Sequence, residues 1–324
     1  MIDKNEVVIN IDEHNNLTTI SNDSSYLSMG SNPALAYLMS LSSKKSRKTM
    51  SSYLSRVAGL LGSNDPNAFP WDKLRRHHVQ GIQAKLQEEG KAPSTCNTYM
   101  AAIKGVAMEA WSMGLMSTDD YQAIKAVKPV KGSRLPKGRS LKDNEIRDLI
   151  RSCEEDSSIR GVRDTAIVRT LVSCGLRRSE LAGLRMSDLD FSSKSVQVIG
   201  KGNKQRKLFC SDKAWESILT WIEDVRGSED GFLFTRIRRH GEITESPITD
   251  QAVYYILQER ASEADIKSFS PHDLRRTFAT NLLSKGVDIS LVQSLMGHSD
   301  ISTTTRYDMR GDDEMRNASR MMDF

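Results

Sequence analysis

The chain has 324 residues, which is long for one compact domain and sufficient for two. Its composition, 38% hydrophobic and 27% charged with 8 Pro and 20 Gly, excludes collagen-like, wholly disordered and disulfide-scaffold proteins. The net charge of +4 conceals an asymmetry: residues 31–140 hold 17 basic and 7 acidic side chains, whereas residues 141–324 hold 28 and 30. A basic segment of this kind is typical of a polyanion-binding module, although a solvated Lys/Arg-rich surface has the same composition.

The sequence also bears on the compartment. No apolar run reaches the roughly 18–20 residues of a membrane span, and the first residues contain no apolar signal-peptide core. The four cysteines are scattered without a CxxC pair, which gives little support to a zinc site or a disulfide framework. We therefore expect a cytoplasmic protein with no membrane association and no metal site.

Four segments follow one another along the chain. Residues 1–30 form a polar, acidic tail in which residues 7–11 include one possible short strand. Residues 31–128 carry apolar side chains at helical spacing, which predicts a small all-helical bundle. Residues 129–139 are rich in Lys and Arg, contain no acidic residue and are broken by Pro and Gly, so they predict a linker that is either passive or laid along a phosphate backbone.

Residues 140–324 predict a mixed domain. Helical patterns cover residues 143–152, 164–173, 215–225, 250–261, 271–284 and 289–296. Residues 195–210 alternate like two short strands around a turn at residues 200–202. The predicted fold class is therefore mainly α with a small β-sheet, in an N-terminal helical bundle followed by an α+β domain.

Two clusters of charged residues in this domain can bind phosphate. In CGLRRSELAGL, Gly175 breaks a helix and the next helix begins near Arg177, with Glu180 placed to hold an arginine. In VIGKGNKQRKL, Lys201 lies between two glycines at the predicted hairpin tip. Taken alone, each also fits an ordinary charged helix or a solvated turn.

Two further clusters lie nearer the C-terminus. In SPHDLRRTFAT, an N-cap Ser and a Pro at the first helical position put His272 and Arg275 on one face, one turn apart. In LMGHSDISTTTRYDMR, Gly297 ends a helix just before His298, and Tyr307 follows in a polar stretch that predicts exposure. A capped helix with a satisfied histidine fits the first of these equally well.

Together, the four clusters resemble the catalytic domain of the tyrosine recombinases, the phage-integrase family. The family pattern is Arg, a hairpin Lys, His-x-x-Arg, His or Trp, and Tyr; residues in that order are Arg177, Lys201, His272, Arg275, His298 and Tyr307. The similarity spans roughly residues 140–310, and the upstream bundle resembles the family's SAM-like core-binding domain by layout alone. The first 30 residues match nothing in the pattern.

The resemblance implies a site-specific DNA recombinase that cleaves and rejoins DNA through a 3′-phosphotyrosyl intermediate, with no cofactor. In that role Tyr307 is the nucleophile, Arg177, Arg275 and His298 bind the phosphate oxygens, and Lys201 and His272 transfer protons, with Glu180 supporting Arg177. Two alternatives stay open: a type IB-like topoisomerase, and a DNA-binding regulatory protein that has lost catalysis.

The expected partners are double-stranded DNA and three further copies of the chain, in a homo-tetramer on two duplexes. An apolar stripe in the tail, which includes Met315 and Met322, is a candidate docking helix on a neighbouring copy, as the resemblance implies, or a helix packed on its own chain. The predicted DNA-contacting residues are all basic: Lys44, Lys45, Arg47, Lys48, Arg75, Arg76, Lys131, Arg134, Lys137, Arg139, Lys204, Arg206 and Arg276.

Overall fold

A computed structural model describes residues 10–11, 17–18, 32–132, 134, 138–200, 204–297 and 319–320. The chain divides into two compact units, Met1–Leu135 and Pro136–Phe324. Each unit has its own hydrophobic core, and the predicted fold class, mainly helical with small sheets, is confirmed.

Over residues 32–132, the first unit is a bundle of five α-helices. A pair of two-residue strands precedes it, β1 (Asn10–Ile11) and β2 (Leu17–Thr18). The helices are α1 (Pro33–Ser40), α2 (Lys44–Leu60), α3 (Arg76–Glu88), α4 (Pro93–Ser112) and α5 (Thr118–Lys125). The antiparallel partner of β1 was not expected, because the sequence around Leu17 reads as tail; residues 7–9 lie outside the described residues.

Helix α4 is central to this bundle. Its buried side chains include Ile103 and Val106, and they pack in one cluster with Leu54 of α2 and Leu86 of α3. A 3₁₀ turn buries Trp71, whose Nε1 donates to the Pro66 carbonyl at 2.8 Å, so even the loop before α3 is tied to the core. The apolar stripes of the sequence therefore correspond to the inward faces of these helices.

Within residues 138–200 and 204–297, the second unit combines seven α-helices with two small sheets. Its helices are α6 (Asp143–Glu154), α7 (Ile159–Cys174), α8 (Arg178–Gly183), α9 (Asp212–Trp221), α10 (Asp250–Glu263), α11 (Pro271–Ser284) and α12 (Ile289–Met296). Its strands are β3 (Leu189–Asp190), β4 (Ser195–Ile199), β5 (Gln205–Phe209), β6 (Thr235–Ile237) and β7 (Ile243–Pro247). Strands β3, β4 and β5 form an antiparallel sheet in that order, and β6 pairs with β7.

The predicted hairpin is present as β4 and β5, with Ile199 opposite Gln205. Helix α7 begins five residues before the predicted start, because Ser158 caps it by accepting from the Arg160 N–H at 3.2 Å. The second hairpin, β6–β7, was not predicted, since its strands carry charged and polar side chains. Helix α7 is buried along much of its length and lies within the main core of this unit, so its C-terminal end is held in place by packing.

Candidate active site

The site begins at a cavity of about 440 Å³ in the second unit. Three of the predicted catalytic residues, Arg177, His272 and Arg275, line it together. The other lining residues are Arg178, Ser179, Tyr254, Ser270 and Pro271. The fold therefore brings together the first and third sequence clusters, which are about a hundred residues apart in the chain.

Gly175 sets the direction of the first cluster. It ends α7 in the left-handed conformation, with φ at 57°, and a Cβ at this position would lie 2.3 Å from the Phe278 ring. The chain then turns at Arg177, which precedes the first residue of α8. The arginine side chain is 32% exposed, so it remains accessible from the cavity.

Glu180 fixes the orientation of Arg177. One carboxylate oxygen accepts from the Arg177 backbone N–H at 2.8 Å, and the other accepts from Nη1 of the same residue at 2.6 Å. Burial alone would raise the pKa of Glu180, but hydrogen bonds from Arg206 and Arg177 outweigh it and lower the pKa to about 2. The carboxylate is therefore ionised at all physiological pH values and holds the guanidinium in one place.

The start of α11 positions the third cluster. Ser270 donates to Asp273 Oδ2 from its backbone N–H at 2.8 Å and from its hydroxyl at 2.9 Å, and Pro271 begins the helix, as predicted. Arg275 is only 2% exposed, and its Nη1 donates to the Gly175 carbonyl at 2.6 Å. This contact ties the arginine of α11 to the end of α7.

The end of α12 binds three arginines through three consecutive carbonyls. The Leu295 carbonyl accepts from Arg206 Nε at 3.0 Å, the Met296 carbonyl from Arg275 Nη2, and the Gly297 carbonyl from Arg177 Nη2 at 3.3 Å. Carbonyls in the last turn of a helix lack intrahelical partners and form its negative end, so cations are favoured there. The residue that follows this helix end in sequence is His298.

The other predicted catalytic residues lie outside the described residues. These are Lys201, His298 and Tyr307, and their placement stays a prediction. The described residues include Gly200 and Gly297, which directly precede Lys201 and His298 in the sequence. The tail stripe around Met315 and Met322 is also outside the described residues.

Comparison with known proteins identifies the family. Residues 139–313 match the pattern of the Phage integrase family, and residues 35–114 match that of the phage integrase N-terminal SAM-like domain. The chain belongs to the phage integrase family. It is a tyrosine recombinase by this membership, as the resemblance of the four clusters indicated.

Curated relatives and solved structures agree with the family. The tyrosine recombinase XerD of Listeria monocytogenes is 34% identical over 250 residues, which cover 75% of this chain and 79% of the relative. The tyrosine recombinase XerC of Alcanivorax borkumensis is 30% identical over 305 residues, covering 91% and 90%. The Tn1549 transposon integrase in complex with transposon right end DNA has the same fold, with a TM-score of 0.65 at 19% identity, covering 90% of this chain and 98% of the other.

Two arginines that we predicted to contact DNA are bound to carboxylates of the second unit. The Arg206 side chain is 11% exposed and is bound to Glu180 and to the Leu295 carbonyl. Arg276 is 6% exposed and pairs with Asp273 at 3.4 Å. Both guanidiniums are enclosed by protein and neither lines the cavity, which does not favour a DNA contact; as DNA contacts they stay predictions.

The other predicted DNA contacts stay predictions. Arg75 is paired with Asp120 at 3.2 Å, Arg139 with Glu145 at 2.8 Å, and Arg134 donates to the Gly90 carbonyl at 2.6 Å. Lys137 lies outside the described residues. Exposed side chains in the set are those of Lys44, Lys45, Lys48, Arg76, Lys131, Arg134 and Lys204, and Arg47 is half-buried.

Sequence reasoning missed Tyr254 as a cavity residue. It lies on α10, a helix from outside the four sequence clusters, and it lines the cavity. The same helix contacts the first cluster, because its residue Asp250 pairs with Arg178 at 3.4 Å. No local signal distinguishes Tyr254 from its exposed neighbour Tyr255.

Among the described residues, no helix is long and apolar enough to cross a membrane, and none of their His, Cys, Asp and Glu side chains form a group of three or more that could hold a metal ion.

His272 lies at the cavity with its ring partly exposed. The protein atoms around it desolvate the charged form and lower the pKa of His272, and the positive charges of Arg275 and Arg276 lower it further, against a smaller opposing effect of Asp273. The imidazole is therefore neutral at neutral pH. A neutral imidazole can accept a proton, which is the state a general base requires.

This pKa predicts the acid limit of DNA cleavage. Because the pKa of His272 lies below its ordinary value of 6.5, cleavage should persist as the pH falls through 6.5 and decline only at lower pH. Single-turnover cleavage rates at a series of pH values measure this limit. His272→Gln should remove the acid inflection, and an inflection at or above 6.5 in the unmodified protein would contradict the assignment.

Proposed function

We propose that this recombinase cuts and rejoins DNA at a specific site by transesterification, with Tyr307 as the nucleophile. The observation that carries the proposal is the convergence of Arg177, His272 and Arg275 on one cavity. Two guanidiniums and a neutral imidazole form a site for a phosphodiester and a nearby hydroxyl. The order of the motifs along the chain supplies Lys201, His298 and Tyr307.

The proposed chemistry balances without an added reactant. The Tyr307 hydroxyl attacks the phosphorus and gives its proton to His272, and the bond to the 5′-oxygen breaks as that oxygen takes a proton from Lys201. The products are a 3′-phosphotyrosyl ester and a free 5′-hydroxyl. Attack of a 5′-hydroxyl on the ester reverses the step, and because one ester replaces another, no ATP is needed. The arginines are proposed to stabilise the charge on the phosphate in place of a metal ion.

The arginines bind the charge that grows on the non-bridging oxygens. A guanidinium donates hydrogen bonds in a planar fork that matches phosphate, and its value is greatest where water is excluded. Arg177 has an accessible side chain held by Glu180, and Arg275 is held by the Gly175 carbonyl. His298 is proposed as a further donor.

The first unit and the linker are proposed to grip the duplex by its phosphates. Residues 31–140 hold the excess of basic side chains, and Lys131 and Arg134 are exposed. Cations that neutralise phosphates release counterions, so binding through them depends steeply on salt. The catalytic half can be nearly neutral because its cations are directed at one phosphate.

The double variant Lys131→Glu, Arg134→Glu tests this grip. We expect weaker DNA binding and a slope of log K against log salt that is shallower by about 2, since each lost phosphate contact removes about 0.9. Titrations at several salt concentrations measure the slope. The control is the double variant Lys213→Glu, Arg236→Glu, which makes the same change in net charge at two exposed residues of the second unit. If the slope fell equally in the control, the effect would be one of overall charge and not of these two phosphate contacts.

Assembly as a homo-tetramer is part of the proposal. Exchange between two duplexes requires four strand cleavages, and each chain contributes one candidate nucleophile. Four chains on two DNA duplexes therefore supply the required number. The proposed setting is the bacterial cytoplasm, and the proposed task is integration and excision of a mobile element, or resolution.

A selection of bound fragments from genomic DNA, followed by a plasmid assay, tests the function. A supercoiled plasmid with two copies of the recovered site should yield recombined circles in the presence of the protein. Relaxation without exchange would favour the topoisomerase alternative, and binding without any strand cleavage would favour the regulatory protein. The symmetry and genomic location of the site test the proposed task.

A further inference from the structure

Arg206 is a nearly buried cation, with its side chain 11% exposed, that the proposed chemistry does not use. It lies on β5 opposite Val198 of β4, and it shares the inward face of the strand with Leu208, two residues on. A strand alternates its side chains, so Arg206 points toward the core while Lys207 is exposed. Burying a guanidinium is costly unless its hydrogen bonds are satisfied, so Arg206 requires acceptors within the protein.

Its main partner is Glu180, the carboxylate that also holds Arg177. Arg206 Nη1 lies 3.1 Å from Oε1 of Glu180 and Nη2 lies 2.8 Å from Oε2. Arg177 Nη1 donates to the same Oε1 at 2.6 Å, and the Arg177 N–H donates to Oε2. Glu180 is therefore shared between a buried arginine and an accessible one.

Two glycines make room for the Arg206 guanidinium. A Cβ on Gly297 would lie 3.0 Å from Nη1 of Arg206, and a Cβ on Gly200 would lie 3.2 Å from the same atom. Gly200 comes directly before Lys201, and Gly297 directly before His298. With its bond from Nε to the Leu295 carbonyl, Arg206 contacts elements of the first, second and fourth sequence clusters.

We propose that Arg206 is a positioning residue for the cleavage step. Its fork occupies both oxygens of Glu180, so Arg177 is left with one side-chain bond to that carboxylate instead of two. Arg177 thereby keeps guanidinium hydrogens for the scissile phosphate. Without Arg206, the nearly buried carboxylate would draw the Arg177 fork onto itself.

This inference rests on the proposed function and is tested by single-turnover cleavage. The substrate is a nicked duplex with the site recovered above, and the variants are Arg206→Met and Arg206→Lys. We expect Arg206→Met to cleave about 10–100-fold more slowly, as for other residues that orient a reacting group, with DNA affinity changed less than about twofold. Arg206→Lys should recover part of the rate because it keeps the charge.

A neutral substrate separates positioning from loss of fold. When a methyl group replaces one non-bridging oxygen of the scissile phosphate, the phosphate has no charge for Arg177 to bind. The ratio of the cleavage rate of the unmodified protein to that of Arg206→Met should therefore fall toward one. A difference that persists on this substrate would overturn the role through Arg177. Arg163→Met is the matched control, since it removes another buried arginine–carboxylate pair, the one with Asp164 at 2.8 Å.

The remaining outcomes are distinct. Weaker DNA binding with an unchanged cleavage rate would make Arg206 a DNA contact and overturn the proposal, as would equal rates for Arg206→Met and the unmodified protein. If the unmodified protein itself forms no covalent adduct, the proposed function fails first. Thermal unfolding of each variant identifies any rate loss that a folding defect causes.

Discussion

Tyr307→Phe is expected to abolish the covalent protein–DNA adduct while DNA binding is retained. The substitution removes only the hydroxyl, which is the group proposed to attack the phosphate, and the groups proposed to bind the phosphate, on Arg177 and Arg275, stay in place. A nicked suicide substrate traps the adduct, because the short strand beyond the cut dissociates and cannot rejoin. Denaturing gels of labelled DNA then measure the adduct, and gel shifts measure binding.

Tyr255→Phe is the matched control for this experiment. Tyr255 lies on α10, is 61% exposed and does not line the cavity. The Tyr255→Phe variant should form adducts at the rate of the unmodified protein. Adducts that persist in Tyr307→Phe would show that another residue is the nucleophile.

Arg177→Lys should lower the rate of DNA cleavage by about 10²–10³-fold, the effect of losing one donor to a transition-state oxyanion. Lysine keeps the positive charge, but a single ammonium group cannot bind Glu180, the Gly297 carbonyl and a phosphate in the same planar geometry. Single-turnover cleavage at saturating protein measures the rate. DNA affinity should change by only a few-fold, since the basic segment is proposed to supply most of the binding to the duplex.

The neighbouring residue provides the control for Arg177→Lys. Arg178 also lines the cavity, but it pairs with Asp250 at 3.4 Å and is proposed to act in the fold or in backbone contacts, so Arg178→Lys should cleave DNA within a few-fold of the normal rate. We prefer Arg177 to Arg275 for this test because Arg275 is buried, and its loss would leave the Gly175 carbonyl without its donor. Equal losses in Arg177→Lys and Arg178→Lys would contradict a specific role for Arg177.

Local sequence signals predicted the elements that carry the site. Gly175 and Gly297 end their helices in the left-handed conformation, and Ser270 with Pro271 begins α11. These features depend on backbone geometry and on hydrogen bonds between near neighbours, which the sequence specifies directly. For that reason the three cavity residues of the motif could be named in advance.

Arg206 shows where this reasoning was incomplete. Its charge suggested DNA, but the alternation of β5 puts it on the same face as Leu208, a signal that was present in the sequence and outweighed by composition. Its partner Glu180 is 26 residues away in the sequence, and the Leu295 carbonyl that it binds at the end of α12 is 89 residues away. Contacts at such separations, like the entry of Tyr254 into the cavity, are consequences of packing that no local pattern contains.

The most direct test of the proposed transesterification is to identify the amino acid bound to DNA. The adduct trapped on the suicide substrate is digested with nuclease and protease, and tandem mass spectrometry locates the residue that carries the nucleotide. We expect one modified peptide, with a phosphodiester linking the Tyr307 oxygen to a 3′-terminal nucleotide. A nucleotide on any other of the 8 tyrosines, or one attached through its 5′ end, would contradict it.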